Sequence, residues 1–192
     1  MTLSLVLEIL TTLCVIGGLI IAILGLGEWK KQLKGNTKYD LARRVLIKTF
    51  KVRDAFLAVR NPFMSLDSNE EDRIKSEQKG FKKRLDKLHT EWSELYVEII
   101  ETQALYGTEE AKVFNSLNSC KAELEADIWE YFWLKGAYTG PGATVDDNPK
   151  RVTENRRKVF LMSKDPSKDK VTKQLNDAVT EIEDYFRPKL KL

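Results

Sequence analysis

The sequence has little histidine and little cysteine, the residues on which most metal and redox sites depend. Its 192 residues include one histidine, His89, and two cysteines, Cys14 and Cys120. One histidine cannot supply a His-rich zinc site or the two Glu-x-x-His pairs of a di-iron bundle. Cys14 lies in an apolar run and Cys120 in a helical pattern, so the sequence indicates no disulfide framework. We therefore expect neither a metal nor another cofactor.

Signatures of the common catalytic classes are also missing. The sequence contains no P-loop, no Gly-x-Ser-x-Gly and no protein-kinase motifs, so it does not support nucleotide hydrolysis or serine hydrolase chemistry. Charged residues make up 32% of the chain and the net charge is +3, which is typical of a folded, well-solvated domain. Intrinsic disorder and non-specific binding to nucleic acid are both typical of chains with a larger excess of one charge. The sequence favours a non-enzymatic protein, and a nucleic-acid partner is not expected.

An apolar run opens the chain, and from Leu3 to Leu26 its only ionisable side chain is Glu8. As a helix the run would extend about 36 Å, which exceeds the roughly 30 Å of a hydrocarbon core. A cleavable signal peptide has a basic start and a shorter apolar core, whereas no Lys or Arg precedes this run. The sequence therefore predicts an uncleaved transmembrane anchor over residues 1–27.

The residues after this run indicate its orientation. Trp29 is placed where interfacial aromatics occur, and it is followed by Lys30, Lys31, Lys34 and Lys38. By the positive-inside rule, the N-terminus lies outside and the remaining chain lies in the cytoplasm. The sequence thus predicts a basic juxtamembrane linker over residues 28–37 and a cytoplasmic helical domain over residues 38–192, with the lipid bilayer as a partner.

One face of the predicted anchor is small and polar. At 100° per residue, six positions fall within about 120° of one another: Glu8, Thr11, Cys14, Gly18, Ala22 and Gly25. We call this set the small-residue face. In lipid, helices associate through close packing over such residues, so the face could pair two copies or bind a partner helix. Alternatively, the glycines are ordinary for a spanning helix and Glu8 marks its outer boundary.

The rest of the chain has helical periodicity. A break at residues 35–37 should precede a helix over residues 38–59, which ends before Pro62 because the residue before a proline disfavours helical geometry. A second helix, capped by Asp67 or Ser68, should extend to Tyr106. Gly80 is expected to kink or interrupt this second helix, since without a break it would be longer than the helix that follows it. Its apolar seam has alternating spacings of four and three: Phe81, Leu85, Leu88, Trp92, Leu95 and Ile99.

Gly107 ends this helix and Thr108 begins a third one, so the two should form an antiparallel hairpin. Gly136 should stop the third helix. A short helical piece over residues 152–162 and a last helix that begins at residues 165–167 complete the pattern. The predicted fold is all-α, with an N-terminal transmembrane helix followed by an antiparallel four-helix bundle.

Charge is sorted along this predicted bundle. Between Lys38 and Arg60, seven basic residues accompany two acidic ones, whereas between Glu91 and Glu130 ten acidic residues accompany two basic ones. Either the basic helix pairs with the acidic hairpin, through individually weak ion pairs, or it lies against anionic lipid, at about 1 kcal/mol per well-placed charge. A second basic stretch spans residues 150–158, and it lacks interleaved aromatics for stacking on nucleic acid.

One short motif permits a catalytic alternative. Arg84 and His89 are separated by four residues, and this spacing resembles the Arg-x4-6-His signature of the HEPN ribonucleases, which are also small helical bundles. The resemblance implies that Arg84 and His89 form an RNA-cleaving pair in a membrane-tethered ribonuclease or toxin-like effector of a defence or stress system. The match departs from the family at Leu85, where a polar residue is usual. In the alternative interpretation both side chains are solvated and flank the apolar seam.

A broader resemblance covers residues 38–63, KYDLARRVLIKTFKVRDAFLAVRNPF. With the preceding anchor, this stretch is similar to an uncharacterised family of small bacterial single-pass membrane proteins. The resemblance implies a place in the bacterial inner membrane and carries over no functional residue. The leading hypothesis is therefore a non-enzymatic scaffold or interaction protein of that membrane, which binds a partner protein or itself.

Overall fold

The computed structural model describes residues 3–63, 72–138, 148–162, 165 and 168–190, and within these ranges the chain is all-helical. The elements follow one another as α1 (Leu3–Val59), α2 (Arg73–Tyr106), α3 (Thr108–Ala111), α4 (Asn115–Leu134), α5 (Pro149–Val159) and α6 (Lys170–Phe186). The 3₁₀ turns Lys112–Phe114 and Arg187–Leu190 follow α3 and α6.

Helix α1 is continuous over 57 residues, a length of about 86 Å. The expected break at residues 35–37 is therefore wrong. A lone glycine such as Gly35 costs a helix only about 1 kcal/mol relative to alanine, and the long helical segments on both sides outweigh that cost. The N-terminal part of α1 is long and apolar enough to cross a membrane, and its most apolar 18-residue window is not buried by the described chain.

The packed region begins near Leu41 and encloses one apolar core, which α1, α2, α4 and α6 build together. Every second residue of the predicted seam of α2 is fully buried, namely Phe81, Leu88 and Leu95. The seam residues between them are half-buried. This alternation is what the three-and-four spacing predicts for a helix that packs against neighbours on both sides. The seam is thus confirmed.

Ion pairs connect α1 to α2 along the length of their contact. Arg44 and Lys48 both reach Glu98, and farther along α1 Lys51 lies 3.7 Å from Glu94. Still farther, the carbonyl of Val59 accepts a hydrogen bond from Arg84. Residue numbers rise along α1 as they fall along α2, so the two helices run in opposite directions. The predicted pairing of the basic helix with the acidic hairpin is confirmed for α2.

Other side-chain contacts connect the remaining helices. The rings of Phe114, before α4, and Phe186, at the end of α6, lie 5.8 Å apart. At the other end of α4, the ring of Phe132 lies 5.5 Å from that of Phe81 in α2. Helix α5 packs on α4, where Arg151 lies 2.7 Å from Glu130.

Two boundaries of α2 have clear local causes. Asp72 caps the N-terminus, where its side chain accepts hydrogen bonds from the amides of residues 74 and 75; Asp67 and Ser68, the expected caps, lie outside the described residues. Gly107 ends the helix with φ 109°, a backbone conformation that favours glycine. The predicted interruption at Gly80 is wrong, because α2 passes through it, while the alternative, a kink there, stays a prediction.

The later boundaries differ from the predictions by several residues. The third predicted helix is divided by the 3₁₀ turn Lys112–Phe114, and Gly136, with φ 78°, follows its end as predicted. Helix α5 starts at Pro149 rather than residue 152, and α6 starts at Lys170 rather than at residues 165–167. In each case the capping residue is one position earlier, Asn148 or Asp169, and such caps depend on tertiary placement as well as residue type.

Candidate functional site

The small-residue face of α1 lies on the part of the helix that contacts no other element of the described chain. Cys14 is exposed, and beyond the adjoining turns of its own helix a Cβ atom on Gly18 or Gly25 would meet no atom within 4 Å. Thr11 donates a hydrogen bond to the carbonyl of Glu8 at 2.9 Å, so its hydroxyl is satisfied within the helix. Ala22 is exposed as well. The face is therefore sterically open, and its use in association stays a prediction.

The predicted membrane-interface residues follow along the same helix. Trp29, Lys30 and Lys31 are exposed, and the side chain of Lys34 lies outside the described residues. Lys38 lies about 16 Å beyond Gly27 along the helix axis. Its ammonium is 5.7 Å from the ring centroid of Tyr106, at the start of the packed region.

The most extensively hydrogen-bonded side chain in the described chain is Arg60, which the sequence analysis did not single out. Arg60 follows the last residue of α1 and is 0% exposed. Its guanidinium contacts both carboxylate oxygens of Asp169, at 2.5 and 3.1 Å. It also donates to the carbonyls of Arg157 and Lys158, at 3.1 and 2.9 Å, and to the hydroxyl of Thr172 at 3.0 Å.

This cluster joins three helix ends. The carbonyls of residues 157 and 158 belong to the last turn of α5, where carbonyls lack helical partners and carry partial negative charge. Asp169 is the N-cap of α6 and accepts the amide of Thr172 at 2.7 Å. Partial burial opposes ionisation of Asp169, but hydrogen bonds from Arg60 and Thr172 outweigh it and hold its pKa below the ordinary value. Arg60 thus holds the ends of α1, α5 and α6 together.

A second charge cluster lies between α1 and α2, and its central carboxylate, that of Glu98, is buried. The side chain of Glu98 is 4% exposed and accepts from Arg44 at 3.0 Å and from Lys48 at 2.6 Å. Burial raises the pKa of Glu98, but these two hydrogen bonds outweigh burial and leave the pKa below its ordinary value. Arg44 also lies 2.5 Å from Glu101. The cluster fixes the axial position of α2 against α1.

Arg84 and His89 are directed to different partners. Arg84 donates to the carbonyls of Val59, Asn61 and Phe63, and so holds the segment that follows α1. His89 Nε2 lies 2.5 Å from Glu125 Oε1 of α4. The structure therefore assigns both residues structural contacts and does not bring their side chains to one point.

A groove with a volume of about 620 Å³ lies between α4, α5 and α6. Two of its carboxylates are paired, Asp127 with Lys158 at 3.2 Å and Asp169 with Arg60. Neither histidine nor cysteine is among its lining residues. Among the residues that the structure describes, no group of three or more His, Cys, Asp or Glu side chains is placed to hold a metal ion.

The role of Arg60 could not be predicted from the sequence, because a single arginine near a helix end gives no periodic signal. Its partners lie about 100 residues farther along the chain. Comparison of the chain with protein-family models, curated proteins and solved structures found no match in any of the three.

Proposed function

We propose that this protein is a membrane-anchored, non-enzymatic interaction protein of the bacterial inner membrane, with its N-terminus outside and its packed region in the cytoplasm. In this proposal α1 crosses the membrane and then joins α2, α4 and α6 in an antiparallel four-helix bundle. The bundle binds a partner protein, and the small-residue face of α1 supports self-association in the membrane.

The bundle arrangement is supported by the contacts between successive helices. Glu98 of α2 meets Lys48 of α1, and Phe81 near the start of α2 meets Phe132 near the end of α4. Phe114 before α4 meets Phe186 at the end of α6. Short connections, such as the single residue Gly107 after α2, favour neighbours that run in opposite directions.

The observation that carries the functional proposal is the continuity of α1. The same helix presents an open, apolar N-terminal segment and a C-terminal half that supplies the core residues Leu41, Val45 and Phe56. A continuous helix resists bending far more than a flexible linker of the same length, so association of two N-terminal segments would set the separation of the two bundles. Such a protein is suited to hold partners at a defined place beside the membrane.

The association step is testable with the native Cys14 thiol, which lies on the small-residue face. In membranes that contain the full chain with Cys120→Ser, oxidative crosslinking at Cys14 should give a covalent dimer. Gly18→Ile or Ala22→Ile should reduce its yield several-fold, because a large side chain prevents close helix approach. Gly27→Ile is the matched control, since Gly27 lies about 180° from Gly18 around the helix.

Two results together would contradict the proposal. One is a dimer yield that Gly18→Ile and Ala22→Ile leave unchanged. The other is affinity purification of the full-length protein from crosslinked native membranes that recovers no second protein.

A further inference from the structure

Two small grooves adjoin at the end of the packed region that is farther from the apolar segment. Their volumes are about 220 and 260 Å³, and Arg73, Glu77, Tyr131 and Arg156 line both. Because Arg84, one turn farther along α2 than Phe81, contacts the carbonyl of Val59, this end lies level with the last turn of α1. That position is about 48 Å from Gly27 along the helix axis, which is well beyond the reach of lipid headgroups.

The charged groups around the grooves are predominantly cationic. Three cations, Arg73, Lys135 and Arg156, face one carboxylate, that of Glu77. Lys135 forms an ion pair with Glu77, Tyr131 lies 3.2 Å from the same carboxylate, and Arg73 is 3.6 Å away. The carboxylate is thus already satisfied, whereas Arg156 has no ion-pair or hydrogen-bond partner for its side chain in the described part of the chain.

The surrounding helices extend this positive surface. From residue 73 to residue 87, α2 carries seven basic and two acidic side chains, and from residue 150 to residue 158, α5 carries five basic and one acidic. Such a concentration of one charge attracts an oppositely charged partner and increases its association rate. The opposite end of the hairpin is acidic, so within the hairpin the excess of basic residues lies at this end.

The shape of the grooves favours a peptide segment over a small molecule. Enclosed ligand pockets usually measure about 300–1,000 Å³, whereas each groove is smaller and the two lie side by side. The first groove offers apolar walls from Pro62 and Met162, both exposed. Nucleic acid fits poorly, because the rings of Phe81 and Phe160 beneath it are buried and cannot stack with bases.

We infer that these adjoining grooves dock an acidic segment of a partner protein. One or more carboxylates of the segment contact Arg156 and Arg73, and an apolar side chain lies in the groove beside Pro62 and Met162. This inference rests on the proposed function in one respect only, that the bundle binds a protein, and it names the surface and the chemistry of the partner.

Site-specific photocrosslinking in native membranes tests the assignment. The full-length chain carries p-benzoylphenylalanine in place of Met162, an exposed residue on the groove wall, and the crosslinked peptides are sequenced by mass spectrometry. We expect an adduct with a protein segment rich in Asp and Glu. Arg156→Glu should lower its yield at least about tenfold, because like charges across an interface cost several kcal/mol.

Arg157→Glu is the matched control: it makes the same charge change one residue along α5, and Arg157 lines neither groove. Its adduct yield should stay within about twofold of the parent. Thermal unfolding of both variants establishes that they are equally folded.

Four results overturn the inference: no adduct, an adduct with nucleic acid, an adduct with a segment that lacks acidic residues, or equal yields with and without Arg156→Glu. Each leaves the Cys14 crosslinking result untouched. Failure at the grooves is therefore distinguishable from failure of membrane self-association.

Discussion

Replacement of Arg60 by methionine should destabilise the packed region more than any surface substitution. Methionine retains much of the aliphatic volume, but it leaves the carboxylate of Asp169, whose side chain is 11% exposed, without its charge partner. It also leaves the last carbonyls of α5 without donors. Breaking a buried ion pair by removing one partner costs about 3–5 kcal/mol, because the remaining charge stays desolvated.

This destabilisation is measurable by thermal unfolding of the full chain in detergent micelles, followed by far-UV circular dichroism. For a chain of this size, about 2–4 °C of Tm corresponds to each kcal/mol, so Arg60→Met should lower Tm by roughly 6–20 °C. The double variant Arg60→Met/Asp169→Asn should regain part of that loss, since it removes the uncompensated charge.

The pH dependence supplies an independent check. The pKa of Asp169 is lowered in the folded protein, so its contribution is fully present above its unfolded pKa and is lost as the pH falls through the folded pKa. The difference in stability between the parent and Arg60→Met should therefore shrink on acidification below about pH 4. A cost under about 1 kcal/mol at neutral pH, or a difference that grows on acidification, would refute the role assigned to Arg60.

Four further predictions concern α2 and its end. Glu98→Gln should cost about 2 kcal/mol in thermal unfolding because it removes a buried charged acceptor, whereas the half-exposed Glu94→Gln should cost under about 1 kcal/mol; equal costs would contradict the difference in burial. Gly107→Ala should cost about 1–3 kcal/mol, since its backbone conformation is largely restricted to glycine, and an unchanged Tm would contradict this. Arg84→Ala should lower stability by about 1.5–3 kcal/mol, through lost hydrogen bonds from a charged group. By contrast, His89→Ala should leave any toxicity of the expressed protein unchanged; toxicity that disappears would favour the ribonuclease alternative.

Much of the helical architecture could be predicted because it depends on local patterns. The three-and-four spacing of Phe81, Leu88 and Leu95 specifies which face of α2 is buried, independently of what covers it. Gly107 stops a helix through its own backbone freedom. The pairing of basic α1 with the acidic C-terminal part of α2 follows from charge sorting along adjacent elements.

The errors arose where two local preferences compete or where partners are distant. Gly35 and Gly80 weaken a helix by about 1 kcal/mol each, and the long helical segments around them offset that cost. The contacts of Arg60 required the ends of α5 and α6 to be placed first. The grooves beside Arg156 combine residues from α2, α4 and α5, so no single stretch of sequence indicates them.

The continuity of α1 from the apolar segment into the packed core is tested most directly by a distance across residues 35–37. Spin labels at Trp29→Cys and Ile47→Cys, in a Cys14→Ser/Cys120→Ser chain reconstituted in lipid, occupy two exposed positions. They are five helical turns apart on one side of α1, about 27 Å along the axis. Double electron–electron resonance should give one narrow distribution near that value. A broad distribution, or a mean distance shorter by several ångströms, would contradict a continuous helix and with it a fixed geometry between membrane segment and bundle.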